Sequence, residues 1–241
     1  AIALSAPASV TASLNTGVAK SLLLTWSSVA NATNYTIKVS TGGSQVFTID
    51  FSGTSATLTD ARLLNGTSYD ITVRANGTGN YGSSGFSTST GTASTAAART
   101  ITYVYNGADG GNSRASDSYI VGGAAITLPT PTQTNYTFGG WYAEAGLTTL
   151  VTGTQTPASD ISLYAKWTAT AYSISYSPNY GVSSASTTNV TIGNSTVLPT
   201  LSRANFVFDG WYTASTGGTK VGNGGDSYTP TQGRTLYARW I

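Results

Sequence analysis

Phe138-Gly139-Gly140-Trp141-Tyr142 and Leu163-Tyr164-Ala165-Lys166-Trp167 decide the reading of this chain, because both return. The first recurs as Phe208-Asp209-Gly210-Trp211-Tyr212 and the second as Leu236-Tyr237-Ala238-Arg239-Trp240. Upstream, Leu128-Pro129-Thr130 returns as Leu198-Pro199-Thr200, and Thr100-Ile101-Thr102-Tyr103 returns as Ser173-Ile174-Ser175-Tyr176. Self-similarity at a fixed spacing marks one structural unit used twice. The second copy is slightly longer between its Trp-Tyr pair and its last strand, and a loop absorbs such a difference at little cost. Two units follow, 98–168 and 169–241.

Alternation within these stretches gives their secondary structure. Leu163, Ala165 and Trp167 fall on one face of a strand, and Tyr164 and Lys166 on the other. Leu236, Ala238 and Trp240 repeat the first face, and Tyr237 and Arg239 the second. The tryptophans therefore travel with the aliphatic residues. Core packing is the expectation for Trp141, Trp167, Trp211 and Trp240, ahead of a sugar-stacking platform, since aromatic rings carry the largest apolar area in a small domain.

Residues 1–97 lack the repeated motifs. Leu22, Leu24 and Trp26 alternate, as do Tyr35, Ile37 and Val39, and then Tyr69, Ile71, Val73 and Ala75. Short alternating strands at this spacing, with turn clusters between them, predict a two-sheet sandwich. Ala93–Ala98 is small and polar and reads as a linker.

Composition narrows function mainly through what is missing. The 241 residues include no His, Cys or Met, and Glu144 is the sole glutamate. That removes His-based triads, thiol nucleophiles, structural zinc and disulfides. Charged residues make up 8% and the net charge is +2, too little to drive binding to nucleic acid or anionic lipid. No apolar run approaches the roughly 20 residues of a membrane helix, so no membrane insertion is expected within the segment. The chain does not begin with Met, and flanking sequence is expected outside it. The nine acids are scattered singly, which argues against paired-carboxylate glycoside hydrolysis. Asn106–Asn112, with Asp109 and then Asp117, loosely resembles a calcium loop, but two carboxylates are few for that ion and a turn is favoured. Lys38 and Lys166 alternate outward, and Lys20 and Lys220 fall in glycine-rich turns, so an intramolecular isopeptide bond is not expected. No catalytic residue, cofactor or metal site is assigned.

The N-terminal segment resembles a fibronectin type III domain, through Pro7, Trp26, Tyr35 and Leu64-Asn65-Gly66-Thr67-Ser68-Tyr69. The last run is similar to that family's tyrosine corner, in which the Tyr hydroxyl ties back to upstream backbone. Asn65 stands where the family usually has Pro. No Arg-Gly-Asp occurs between Asn76 and Gly85. The two later units resemble the Listeria–Bacteroides repeat, also called the InlB B-repeat family, through Phe-x-Gly-Trp-Tyr and the closing Leu-Tyr-Ala-Lys/Arg-Trp. Asn135 and Asn205 stand where that family usually has Gly, and Asn is the residue that best replaces Gly in a left-handed turn.

These resemblances imply a mainly β chain: an immunoglobulin-like sandwich over 1–97, then two small β-grasp-like modules over 98–168 and 169–241. They also imply a non-enzymatic segment of a bacterial cell-surface or secreted protein, acting as a spacer or stalk, in surface assembly or in adhesion. The rival readings are a glycan- or host-protein-binding module and an accessory region of a larger secreted hydrolase. Expected partners are other copies of the chain or cell-wall and host glycans and proteins. Candidate ligand contacts are Tyr81, on a Gly/Asn-rich loop where binding residues often sit, and the outward pairs Tyr164 with Lys166 and Tyr237 with Arg239.

Overall fold

The computed structural model describes residues 1–111, 113–179 and 186–241. Two compact units form. One holds Ala1–Val104, Arg114–Pro129 and Trp141–Tyr164; the other holds Tyr105–Ser113, Thr130–Gly140 and Ala165–Ile241. Every regular element among the described residues is a strand.

The first residues build a sandwich of a three-stranded and a four-stranded sheet. Strands Val10–Leu14, Ser21–Trp26 and Ser55–Thr59 form one sheet in that order. Ser44–Phe51, Asn34–Thr41, Ser68–Asn76 and Gly91–Ser94 form the other. All pairings within the two sheets are antiparallel. The alternating residues meet between them: Leu22, Leu24 and Trp26 pack against Tyr35, Ile37, Val39, Ile71 and Val73, all buried. Burying an aliphatic side chain of this size is worth about 1.5–3 kcal/mol.

The tyrosine corner is present. Tyr69 is buried, and its hydroxyl accepts a hydrogen bond from the Leu64 amide at 2.8 Å. Asn65 does work a proline could not. Its Oδ1 accepts from the Lys20 amide at 2.8 Å, pinning a turn in which Lys20 has φ 53°.

Each later unit is a mixed five-stranded sheet. In the first the order is Ser116–Ile120, Ala98–Val104, Ile161–Ala169, Tyr136–Tyr142 and Leu150–Val151. In the second it is Ser186–Thr191, Ala171–Ser177, Arg234–Trp240, Phe208–Tyr212 and Lys220–Gly222. The opening and closing strands pair in parallel in both, with Tyr103 opposite Leu163 and Tyr176 opposite Leu236. A smaller pairing also repeats. Ile126 bridges Gln155, and Thr196 pairs with Tyr228 at the matching position. Asn135 and Asn205 take φ values of 68° and 65°, the left-handed turn expected of residues standing in for Gly.

Depth within the repeats differs from the sequence expectation. Trp141 and Trp211 are buried, at 3% and 0% exposed. Trp167 and Trp240 share a sheet face with buried Leu163, Ala165, Leu236 and Ala238, yet are only half-buried. They lie toward the end of the closing strand, where each rings against a phenylalanine: Phe138 with Trp167 and Phe208 with Trp240, both at 5.4 Å between centroids.

Candidate functional site

All four repeat tryptophans are tied to backbone. The Trp141 indole donates to Pro129 O at 2.8 Å and Trp211 to Pro199 O at 2.7 Å. Trp167 donates to Tyr105 O at 2.7 Å and Trp240 to Pro178 O at 2.9 Å. Each ring thereby closes a loop onto the sheet. The turn after the opening strand is held alike in both units. Asn106 and Asn179 have φ 53° and 52°, and each Nδ2 donates across to the closing strand, to Ala165 O at 2.9 Å and Ala238 O at 3.2 Å. Of the stretch that loosely resembles a calcium loop, Asn106–Gly111 is described, and its Gly110–Gly111 pairs with Pro131–Thr132. Asp109 accepts from the Thr134 amide at 2.7 Å, and Asp117 is paired with Arg114. Asn112 lies outside the described residues. Among the described residues no three His, Cys, Asp or Glu side chains gather to hold a metal.

The ionisable groups serve as internal struts. In the first repeat Arg114 holds Asp117 from two nitrogens, Nε and Nη2, each at 2.6 Å. The Tyr103 hydroxyl donates to Asp117 Oδ2 at 2.6 Å, and Arg114 Nη2 also donates to Thr127 O. Arg114 foremost, then Tyr103, holds the Asp117 carboxyl below its ordinary range. Burial foremost, then the neighbouring carboxylate, pushes the Tyr103 hydroxyl far up. In the second repeat the Tyr212 hydroxyl donates to Asp209 Oδ2 at 2.6 Å and Lys220 Nζ reaches Asp209 Oδ1 at 3.1 Å. Both lower the Asp209 pKa, the tyrosine more. Lys220 begins an edge strand rather than lying in a turn. In the sandwich Lys20 Nζ donates to Ala61 O at 3.0 Å, and Lys38 lies over the Phe86 ring at 4.7 Å.

Of the five candidate contacts, Tyr81 is not on a free loop. Tyr81–Gly82 pairs in parallel with Ile2–Ala3, and the ring is half-buried. Tyr164 and Lys166 share the outer face of the first repeat's closing strand, and Tyr237 and Arg239 the corresponding face of the second; all four are half-buried. Arg239 is stacked on Tyr212 at 4.0 Å from the ring centroid. A cavity of about 270 Å³ opens beside it, lined by Asn179, Ser215, Thr216, Gly217, Arg239 and Trp240. Sequence reasoning found Arg239 but not Asp209, Tyr212, Asn179 or the 215–217 loop. The exchange of Gly139 for Asp209 between copies was the visible signal for the first of these.

Residues 100–166 and 172–239 each match the Listeria-Bacteroides repeat domain family. The chain belongs to this family. Among curated proteins it is similar to Internalin H of Listeria monocytogenes serovar 1/2a (strain ATCC BAA-679 / EGD-e), at 36% identity over 118 residues. That stretch covers 48% of this chain and 21% of Internalin H, so the chain spans about a fifth of that relative's length. Among solved structures, the crystal structure of FN3tt aligns at a TM-score of 0.33 and 23% identity, over 38% of this chain and 94% of that one. The repeat family and the internalin relative support a segment of a bacterial surface protein. Among the described residues no helix is long and apolar enough to cross a membrane.

Proposed function

We propose that this chain is a non-catalytic modular segment of a bacterial cell-surface or secreted protein, spacing or assembling other parts of that protein and contributing to adhesion. One observation carries the reading: the same mixed sheet occurs twice in tandem, with matching register and matching tryptophan-to-carbonyl ties. Repetition of a self-contained unit adds length without adding chemistry.

The electrostatics agree. Asp60, Asp109, Asp117, Glu144 and Asp209 are all shifted down by hydrogen bonds or cationic neighbours. They are held ionised, the reverse of a general acid, whose pKa is raised toward the working pH. Other copies of the chain, or cell-wall and host glycans and proteins, are the proposed partners; nucleic acid and membrane are not.

A replacement experiment tests the spacer role. Residues 1–241 in the parent surface protein are exchanged for an unrelated tandem β array of equal length. Retained surface display and adhesion are expected. Loss of adhesion with display retained overturns the spacer and moves the binding reading ahead. That rival has one specific observation in its favour, the cavity beside Arg239.

A further inference from the structure

Arg239 Nη2 is shut off from solvent and has no hydrogen-bond partner among the described residues. Its contacts are the Tyr212 ring beneath it and the field of Asp209, which is already bonded to Tyr212 and Lys220. An arginine carries five donors in a planar fork matched to a carboxylate. Leaving such a group half-buried and unbonded is costly, and natural interiors avoid it. Arg239 lines the 270 Å³ cavity together with Trp240, Ser215 and Thr216. The Asn179 amide, also part of the lining, is occupied, donating to Ser215 O at 2.9 Å and to Ala238 O at 3.2 Å.

We infer that this cavity on the second repeat is a binding site for a sugar acid of the hexuronate type. The arginine takes the carboxylate through Nε and Nη1 in a charge-assisted pair, with Nη2 already closed off from solvent behind them. Trp240 offers an apolar surface to the sugar ring, and the Ser215 and Thr216 hydroxyls meet sugar hydroxyls. The volume lies just under the usual range for drug-sized ligands and suits one residue of a glycan. A peptide carboxylate would use the arginine but not the hydroxyl wall.

The first repeat is a built-in contrast. Lys166 stands for Arg239, Ala145 and Gly146 for Ser215 and Thr216, and Leu147 for Gly217. Its loop also carries the Glu144 carboxylate, which accepts from the amides of Thr148 and Thr149 at 2.8 and 2.7 Å. That negative charge opposes a carboxylate ligand. The site therefore belongs to the second repeat alone.

Nitrogen-resolved NMR of the full 241-residue chain tests this, with glucuronate as probe. Glucuronate is expected to shift the Trp240 indole and Arg239 Nε signals saturably, with half-saturation of about 1 mM for so small a ligand. Equimolar glucose should not shift them, and the Trp167 indole should stay in place. Arg239→Gln should weaken binding about tenfold or more, the cost of losing a charge-assisted pair. Thr216→Trp, in an exposed loop, should fill the cavity and block binding with the arginine intact, which keeps the test valid if Arg239→Gln unfolds. Equal shifts with glucose, an unaffected Thr216→Trp variant, or tighter binding of a tripeptide carboxylate than of glucuronate would each overturn the proposal. This outcome is independent of the spacer role, which the replacement experiment reads.

Discussion

The two repeats share a strand order and register but build their carboxylate–tyrosine networks at opposite edges. In the first, Arg114, Asp117 and Tyr103 form a network on the opening hairpin. At the same place in the second, Tyr176 is buried, and among the described residues no hydrogen bond reaches its hydroxyl. Thr196, and Thr188, opposite Ile174 as Asp117 is opposite Ile101, lie near it outside hydrogen-bond geometry. At the far edge the roles reverse. Asp209, Tyr212 and Lys220 form a cluster where the first repeat has Gly139, Tyr142 and Leu150. What stays constant is the aromatic and aliphatic core and the indole-to-carbonyl ties. The comparison teaches that this sheet is specified by its apolar face and its tryptophans, while its polar networks are exchangeable.

The largest expected effect tests the constant part. Trp211→Ala should cost about 3–5 kcal/mol, as for other fully buried large-to-Ala changes, and lose its tie to Pro199. Trp240→Ala should cost less, since its ring is half-buried. Urea midpoints of the two variants check the order. Equal costs would mean that depth does not distinguish the two rings, and the picture of a deep and a shallow tryptophan would fail.

Next come the exchangeable networks. Asp117→Asn should destabilise the first repeat by about 1–3 kcal/mol, because it weakens the charge-assisted hydrogen bonds that Arg114 and the Tyr103 hydroxyl make to that carboxylate. Asp209→Asn should cost less than Asp117→Asn, because the Asp209–Lys220 pair is more exposed, at 31% and 39% of the two side chains. The pH dependence follows the same contrast. Both carboxylates have folded pKa values below the ordinary 3.8. Their stabilisation is therefore complete above about pH 5 and is lost as pH falls through the unfolded value and then the lowered ones. Hydrogen exchange resolved by repeat should show the first repeat loosening more on acidification than the second. An equal response would mean the Arg114 network contributes no more than the surface pair.

The tyrosines give a smaller test of opposite sign. Tyr176→Phe removes an unbonded buried hydroxyl and should be neutral or stabilising by up to about 1 kcal/mol, whereas Tyr103→Phe should cost about that much. Thermal melts would read both. A destabilising Tyr176→Phe would show that the hydroxyl has a partner in solution.

The smallest effect sits in the first repeat's counterpart of the loop that lines the cavity. Leu147 has φ 54° where the second repeat has Gly217 at φ 62°. A leucine in that conformation costs roughly 1 kcal/mol that glycine avoids. Leu147→Gly should thus stabilise by up to about 1 kcal/mol, less what glycine's freedom takes back in the unfolded chain. Differential scanning calorimetry can detect the shift. A lowered melting temperature would mean that the leucine side chain's packing outweighs its strain.

By itself the sequence determined which face each residue occupies. Alternation placed Leu163 and Ala165, Leu236 and Ala238, and the sandwich residues from Leu22 to Ala75 on the inner faces, where they are buried. It also determined the duplication and the left-handed turns at Asn135 and Asn205, because period and turn chemistry are local properties. Tertiary structure alone decided depth and partnership. Trp167 and Trp240 sit on the same face as buried neighbours yet remain half-buried, since alternation records a side and not how much chain covers it. The ties from Trp167 to Tyr105, Trp240 to Pro178 and Lys20 to Asn65 join residues 45 to 62 positions apart. No local pattern encodes such a pairing. The same holds for Arg239: its strand face was legible, but the cavity beside it is assembled from the Asn179 turn and the 215–217 loop, which meet only when the sheet has formed.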